Sequence, residues 1–122
     1  MLFVVSVYAQ QQDTSNYEEL RYKIKNEDFF LKYHPTAIHY FQRANCKMQL
    51  KMYDEAIEDY TKTIELDSKN SSAYNSRGKA RARLKNYKDA LGDFEMAVRL
   101  SPDDQSYKDN LKLTQTALSL KN

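Results

Sequence analysis

The fold is decided by two consecutive segments of the chain. Residues 37–70 read AIHYFQRANCKMQLKMYDEAIEDYTKTIELDSKN, and residues 71–104 read SSAYNSRGKARARLKNYKDALGDFEMAVRLSPDD. A shift of 34 residues places the second segment on the first without a gap. The identical pairs are Tyr40/Tyr74, Arg43/Arg77, Leu50/Leu84, Lys51/Lys85, Tyr53/Tyr87, Ala56/Ala90, Asp59/Asp93 and Leu66/Leu100. Self-similarity at a fixed period of this length indicates a repeated supersecondary unit.

The apolar residues of each unit recur at helical spacing, with charged residues on the opposite face. In the first unit this stripe is Tyr53, Ala56, Ile57, Tyr60 and Ile64; in the second it is Tyr87, Ala90, Leu91, Phe94 and Val98. The pattern predicts helices over 37–50, 53–66, 71–84 and 87–100. Two-residue connections at 51–52 and 85–86 favour an antiparallel pair of helices in each unit.

Helical patterns also flank the two units. Residues 17–33 form an amphipathic segment that ends before Pro35, and residues 105–121 carry an apolar stripe with a polar outer face typical of a terminal cap. The predicted organisation is a leader and linker over 1–16, a flanking helix over 17–35, repeats over 37–70 and 71–104, and a capping helix over 105–122. Two repeats are fewer than the usual minimum of about three, so the flanking helices or a partner chain must cover the open ends.

The composition excludes several classes of protein. The chain has 122 residues, a net charge of +2, two glycines and one cysteine, Cys46. One cysteine cannot form an internal disulfide or an all-cysteine zinc site, and no apolar run approaches the ~20 residues of a membrane span. The glycines lie in predicted helices rather than in a phosphate-binding loop, and His34, His39 and Cys46 lack further ligands or a catalytic base. We therefore expect no cofactor, metal site or enzymatic activity.

The first residues resemble the end of a secretory signal. Residues 2–7 are apolar, and Val7 and Ala9 fit the small-residue pattern before a cleavage site. No Lys or Arg precedes the apolar stretch, which is also shorter than usual. A truncated signal implies a secreted or periplasmic protein that starts near Gln10, whereas a short terminal helix implies a cytoplasmic one. Both alternatives remain open.

The repeated residues resemble the tetratricopeptide repeat family. Tyr40 and Tyr74 take the position of the family's first-helix aromatic, and the matches to its pattern in the second unit are Gly78, Ala90, Phe94 and Pro102. The sequence departs from the family's pattern at Lys47, Arg81, Thr63 and Ser68. The resemblance implies an all-α fold of two helix-turn-helix repeats with flanking helices, stacked as a short right-handed solenoid.

The resemblance also implies a non-catalytic protein-interaction module. In this family the first helices line a concave groove that holds a peptide or a helix. The corresponding positions here are Ile38, Phe41, Gln42, Asn45, Gln49, Ser72, Asn75, Ser76, Lys79 and Arg83. This mixture of apolar, amide and cationic groups predicts a protein partner with an apolar anchor and an acidic stretch.

The sequence leaves three other functions open. The repeats could instead form a structural spacer whose ends stack on another copy. The co-chaperones that clamp an acidic C-terminus are matched at Asn45, but Phe41 and Ser76 replace a clamp Lys and a clamp Asn. A nucleic-acid surface is suggested by a basic cluster, which ion pairing with acidic neighbours explains more simply. That cluster is Arg77, Lys79, Arg81, Arg83, Lys85 and Lys88.

Overall fold

A computed structural model describes the backbone of residues 2–121 and the side chains of residues 14–120. The described chain consists of six α-helices and contains no strand, which confirms the predicted all-α fold. The helices are α1 (Leu2–Tyr33), α2 (Ala37–Gln49), α3 (Tyr53–Leu66), α4 (Ser71–Arg83), α5 (Tyr87–Leu100) and α6 (Gln105–Lys121).

The helices pack mainly in chain order. Helices α2 and α3 form one antiparallel pair, and α4 and α5 form the next. Helix α1 packs on α2 as α3 packs on α4, so it occupies the place of a second helix from a preceding repeat. Helix α6 packs on α5 and also contacts α4. The flanking helices thus cover both ends of the repeat pair, as the repeat number requires.

Helix α1 is longer than the sequence pattern predicts, because it begins at Leu2 instead of near residue 17. The side chains of residues 1–13 lie outside the described part, so the leader over residues 1–16 stays a prediction. None of the helices over the described range is both long and apolar enough to cross a membrane.

Small residues allow the helices of each pair to approach closely. Ala44, Ala56 and Ala90 are fully buried at these crossings. A Cβ atom added at Gly78 would lie 2.8 Å from the Phe94 ring, which is closer than van der Waals contact. Glycine at position 78 therefore makes room for an aromatic ring from the other helix of its own repeat.

Hydrogen bonds from side chains and from the backbone satisfy the free backbone groups at the helix ends. Asn70 caps α4 by accepting a hydrogen bond from the Ala73 N–H at 3.0 Å. Asp104 caps α6 in the same way, through the Tyr107 N–H at 3.1 Å. Asn and Asp side chains are favoured at such positions, because they accept hydrogen bonds from the free backbone N–H groups at the start of a helix.

Both repeats end their first helix in a left-handed turn at a lysine. Lys51 and Lys85 have φ angles of 60° and 62°. In the second repeat the Asn86 N–H donates to the Arg81 carbonyl at 2.9 Å, and the Lys85 N–H donates to the Ala82 carbonyl at 2.9 Å. This is the Schellman arrangement, in which glycine is the usual residue at the left-handed position.

Lys85→Gly is expected to raise the free energy of unfolding by about 0.5–1 kcal/mol. The substitution relieves a left-handed conformation that costs a non-glycine residue about 1–2 kcal/mol, and the greater freedom of glycine in the unfolded chain offsets part of that gain. Urea denaturation followed by circular dichroism measures the change. The matched control is Lys112→Gly in the exposed part of α6, which should lower stability by about 1 kcal/mol. Equal effects of the two substitutions would contradict the turn assignment.

Candidate functional site

The predicted groove residues lie on the first helices of the repeats, α2 and α4. Helix α4 contacts α2 on one side and α6 on the other. Helix α6 thus takes the place of a first helix in a third, incomplete unit. We call the surface that these three helices form the first-helix face. It contains two neighbouring pockets, one between α2 and α4 and one between α4 and α6.

The α2–α4 pocket is polar. It has a volume of about 280 Å³ and is lined by Asn45, Met48, Gln49, Tyr60, Ser76 and Lys79. The Tyr60 hydroxyl donates to Asn45 Oδ1 at 2.7 Å. Burial raises the pKa of Tyr60 to about 12, so the phenol stays protonated and keeps this donor role. This bond fixes the orientation of the Asn45 amide, whose N–H groups can donate to an acceptor on a ligand.

The α4–α6 pocket is the repeat equivalent of the first one, and it is more apolar. Its volume is also about 280 Å³, and its lining is Lys79, Ala82, Arg83, Tyr87, Phe94, Asn110, Leu113, Thr114 and Ala117. Phe94 stands where the first pocket has Tyr60, which removes a hydroxyl from the floor. Ala82 stands where the first pocket has Met48, which removes bulk from the wall. These replacements suit the second pocket to a bulky apolar side chain.

Two cations border the α4–α6 pocket. Lys79 and Arg83 are four residues apart on α4, so their side chains project from the same face of the helix. Both are exposed, and neither has an ion-pair partner among the side chains of residues 14–120. Their equivalents in the first repeat are the neutral Asn45 and Gln49. The α4–α6 pocket therefore has two cations along its α4 edge, whereas the α2–α4 pocket has two neutral amides along the corresponding edge of α2.

The remaining arginines of α4 are neutralised inside the fold. Arg77 Nη2 and Arg81 Nη1 each lie 2.8 Å from a carboxylate oxygen of Asp93. Arg77 also donates to the Thr61 hydroxyl at 3.1 Å. The predicted ion pairing of the basic cluster is thus confirmed for these two residues. Its acidic partner is Asp93 of the same repeat, in α5, and not a carboxylate of α3.

The first repeat contains the same buried ion cluster. Asp59, which is 3% exposed, accepts from Arg43 Nη2 at 2.6 Å and lies 2.9 Å from Lys47 Nζ. The hydrogen bonds from Arg43 to Asp59, and to Asp28 of α1, raise the pKa of Arg43 above its usual value. Lys47 and Arg81 depart from the family's usual aromatic, and the structure gives the reason: each pairs with a buried aspartate. A buried carboxylate has lost its hydration, so the neighbouring cations are needed to stabilise its negative charge.

The structure distributes the ten predicted groove residues over different environments. Five of them line the two pockets: Asn45, Gln49, Ser76, Lys79 and Arg83. Ile38 and Gln42 are exposed outside the pockets. Phe41 packs against the Tyr60 ring at a centroid distance of 5.9 Å.

The other two predicted residues contact α6. Ser72 lies 3.1 Å from the Tyr107 hydroxyl. Asn75 is buried, and its carbonyl accepts from Asn110 Nδ2 at 3.0 Å. Both side chains therefore hold α6 on α4, which is how the second pocket acquires its third wall.

The sequence pattern did not point to the floor and the far wall of the site. The apolar stripes predict only core positions for Tyr60 and Phe94, and the pattern over 105–121 predicts only a capping helix. A further shift by 34 residues takes Lys79 to Leu113 and Arg83 to Ala117. The 34-residue period, extended into α6, therefore identifies Leu113 and Ala117 as positions equivalent to groove residues.

The imidazole and thiol groups have structural partners. His39 Nδ1 lies 2.8 Å from Glu27 Oε2, and its ring stacks on Phe30 at 5.0 Å. Cys46 is buried, and desolvation raises the pKa of its thiol, which disfavours the reactive thiolate. Within the described side chains, no three His, Cys, Asp or Glu groups are arranged to hold a metal ion.

These features define a helical-repeat protein whose exposed pockets lie between its first helices. Models of the tetratricopeptide repeat match residues 37–70 and residues 71–104. The chain therefore belongs to the tetratricopeptide repeat family, a protein–protein interaction fold that is generally non-catalytic. No curated protein matches the sequence significantly.

Solved structures of tetratricopeptide repeat domains resemble the chain over most of its length. The Arabidopsis OM64 domain is 30% identical, with a TM-score of 0.78 over 81% of this chain and 83% of that one. The second domain of human RPAP3, in complex with the HSP70 peptide SGPTIEEVD, is 26% identical, with a TM-score of 0.74 over 87% and 91%. The first domain of Spaghetti (RPAP3), bound to the HSP90 peptide SRMEEVD, is 23% identical, with a TM-score of 0.79 over 97% and 92%.

Proposed function

We propose that this protein binds an acidic segment of a partner protein on its first-helix face. The single observation that carries the proposal is the pair of unpaired cations, Lys79 and Arg83, on the rim of an apolar pocket. Folded proteins normally neutralise clustered cations, as Asp93 does for Arg77 and Arg81. Two cations left open beside an apolar pocket favour a ligand that carries carboxylates next to a bulky apolar side chain.

The α2–α4 pocket supplies the polar part of the proposed contact. The amide N–H groups of Asn45 and the exposed amide of Gln49 offer hydrogen bonds to a peptide backbone. Lys79 borders both pockets, so one ligand can contact both through this residue. Neighbouring helices lie about 8–10 Å apart, which an extended peptide spans with about three residues.

The bound peptides of the structural neighbours support an acidic ligand but not the same contacts. The peptides SGPTIEEVD and SRMEEVD both carry consecutive glutamates near an apolar residue. In this chain Phe41 and Ser76 occupy two positions at which the clamping co-chaperones carry Lys and Asn. Its open cations lie instead on α4, at Lys79 and Arg83. We therefore place the acidic contacts of the ligand between α4 and α6.

Selection from a random peptide library on the immobilised protein tests this function. Peptides enriched by the parent chain are expected to carry Glu or Asp beside a bulky apolar residue. Lys79→Glu combined with Arg83→Glu should weaken binding of a selected peptide more than about tenfold, since each open charge contact contributes on the order of 1 kcal/mol or more. Fluorescence anisotropy measures the change.

The matched control reverses two exposed cations outside both pockets. Lys108→Glu combined with Lys112→Glu on α6 alters the net charge equally and is expected to leave affinity within about twofold. Equal losses in the two double variants would indicate a general charge effect and contradict the site. Failure of the parent to enrich any acidic peptide would contradict the proposed function.

A further inference from the structure

A third pocket lies between α1 and the turn that joins α2 to α3. It has a volume of about 320 Å³, and the apolar part of its lining is Tyr17, Ile24, Leu50 and Met52. Leu50 and Met52 belong to the turn, and the other two residues belong to α1. We call it the α1–turn pocket. It therefore opens at the edge of the first repeat, beside the end of α2.

Two cations border the α1–turn pocket, as two border the α4–α6 pocket. Arg21 and Lys25 are exposed and lie four residues apart on α1, so they share one face of the helix. The lining also contains the carboxylate of Asp28, to which Arg43 Nη1 donates a hydrogen bond at 2.7 Å. Because Asp28 is engaged by Arg43 of α2, the pocket keeps an excess of positive charge.

Equivalent hydrogen bonds of two arginines define the register between α1 and α3. Arg43 donates to Asp28 of α1, and Arg77, its equivalent in the second repeat, donates to Thr61 of α3 at 3.1 Å. Asp28 therefore corresponds to Thr61, which is an offset of 33 residues. The junction between α1 and the first repeat can thus be compared with the junction between the two repeats.

The two junctions carry opposite charges. At this offset Arg21 corresponds to Asp54 and Lys25 corresponds to Glu58, and all four side chains are exposed. The packing of a second helix on the following repeat is therefore compatible with either sign of charge at these positions. The cations of α1 are not needed to hold the helices together, so they are available to a ligand.

A fourth pocket connects the α1–turn pocket to the first-helix face. It is lined by α1 and by the last residues of the α2 segment, Gln49, Leu50 and Lys51. It shares Gln49 with the α2–α4 pocket, and it shares Tyr17 and Leu50 with the α1–turn pocket. Lys79 joins the α2–α4 pocket to the α4–α6 pocket. The four pockets therefore form one continuous surface from α6 to α1, which we call the pocket track.

The pocket track is strongly basic. Its lining contains one carboxylate, that of Asp28, and five cations: Arg21, Lys25, Lys51, Lys79 and Arg83. None of the five forms an ion pair with another side chain in the part of the chain that the structure describes. Open positive charge along a continuous surface favours an acidic ligand that is long enough to follow it.

We propose that the acidic segment bound on the first-helix face continues past the end of α2 and places a second apolar side chain in the α1–turn pocket, between Arg21 and Lys25. This inference rests on the proposed function and adds length and a second anchor to its ligand. Successive pockets lie about one helix spacing of 8–10 Å apart, so the end pockets are separated by roughly 25–30 Å. An extended chain covers that distance with about eight residues.

Extension of a short selected peptide tests the second anchor. A peptide that binds the first-helix face is lengthened by a random stretch of about twelve residues, at either end, and both libraries are selected on the immobilised full chain. One library is expected to enrich a bulky apolar residue beside Glu or Asp, about eight positions from the first anchor. Its peptides should bind at least about tenfold more tightly than the short peptide in fluorescence anisotropy, because the second contact is intramolecular.

Charge reversal on α1 should affect only the extended peptide. Arg21→Glu combined with Lys25→Glu is expected to lower its affinity to about that of the short peptide, and to leave the short peptide within about twofold. The matched control, Lys108→Glu combined with Lys112→Glu, makes the same change in net charge outside the pocket track. It should leave both affinities within about twofold.

Met52→Asn tests the apolar wall without any change of charge. Asn86 stands at the equivalent position of the second repeat, where it caps α5 by accepting from the Asp89 N–H, so the substitution is compatible with the start of α3. It makes the α1–turn pocket more polar. The extended peptide should lose about three- to tenfold in affinity, and the short peptide should be unaffected.

The outcomes separate this inference from the function on which it rests. Extended libraries without tighter binders, or tighter binders that tolerate reversal of Arg21 and Lys25, overturn the second anchor while the short peptide still supports the first-helix face. An equal loss in the Lys108 and Lys112 control also overturns it, because the effect is then one of net charge. A parent that binds no short acidic peptide overturns the proposed function and this extension together.

Discussion

Asp93→Asn is expected to lower the free energy of unfolding by about 3–5 kcal/mol. Asp93 is 4% exposed and holds two guanidinium groups, those of Arg77 and Arg81, each 2.8 Å from a carboxylate oxygen. The neutral amide keeps the shape of the side chain but leaves two largely buried cations without a counter-charge. Because a domain of this size has a total stability of about 5–15 kcal/mol, the loss is a large fraction of the whole.

Urea denaturation monitored by far-UV circular dichroism measures this loss. Asp103→Asn, in the exposed turn before α6, makes the same chemical change and should alter stability by less than about 0.5 kcal/mol. A second variant separates the missing charge from a packing defect. Replacing the whole cluster by Asp93→Leu, Arg77→Met and Arg81→Leu should recover most of the lost stability, since no buried charge remains. A triple variant that is less stable than Asp93→Asn would contradict this explanation.

The repeat period alone predicted where each helix of the two units begins. The observed starts at Ala37, Tyr53, Ser71 and Tyr87 are those expected from the apolar stripes. The first helices end one residue early, at Gln49 and Arg83, because a left-handed lysine follows each of their caps. Lysine carries no local signal for this conformation, since glycine is the residue that normally marks it.

The candidate site could be predicted only in part. Positions on the first helices follow from the repeat register, and five of the ten residues chosen in this way line the pockets. Which cations stay open does not follow from the register. Arg77 and Lys79 are two residues apart, yet the first pairs with Asp93 and the second faces solvent. Whether a cation of α4 is neutralised depends on whether a carboxylate of α5 lies opposite it, and only the three-dimensional packing identifies that carboxylate.

The two buried aspartates connect the fold to the proposed site. Each holds a pair of cations on the side of the first helix that faces its own second helix. This leaves the other side of α4 free to present Lys79 and Arg83. Ion-paired and solvent-exposed cations therefore alternate along α4. Helical spacing predicts that Arg77 and Arg81 share one face of α4 and that Lys79 and Arg83 share another. The structure adds that Asp93 neutralises the first pair.

Phe94→Ala is expected to cost about 3–5 kcal/mol of stability and to remove the floor of the α4–α6 pocket. The ring is 2% exposed and packs against the backbone at Gly78, where an added Cβ would lie only 2.8 Å from it. Because glycine has no side chain to move into the vacated space, the cavity stays largely unfilled. Phe29→Ala, which truncates an exposed ring on α1, should cost less than about 1 kcal/mol.

A double-variant cycle shows whether the glycine and the ring share one space. Gly78→Leu alone should be strongly destabilising, because its side chain collides with the Phe94 ring. In the Phe94→Ala background the same substitution enters the cavity and should cost far less or increase stability. The coupling between the two positions is then about 1–3 kcal/mol, the range found for side chains in direct contact. Equal costs of Gly78→Leu in both backgrounds would mean that glycine at position 78 is not needed to seat the ring, and the shape of the second pocket would need another cause.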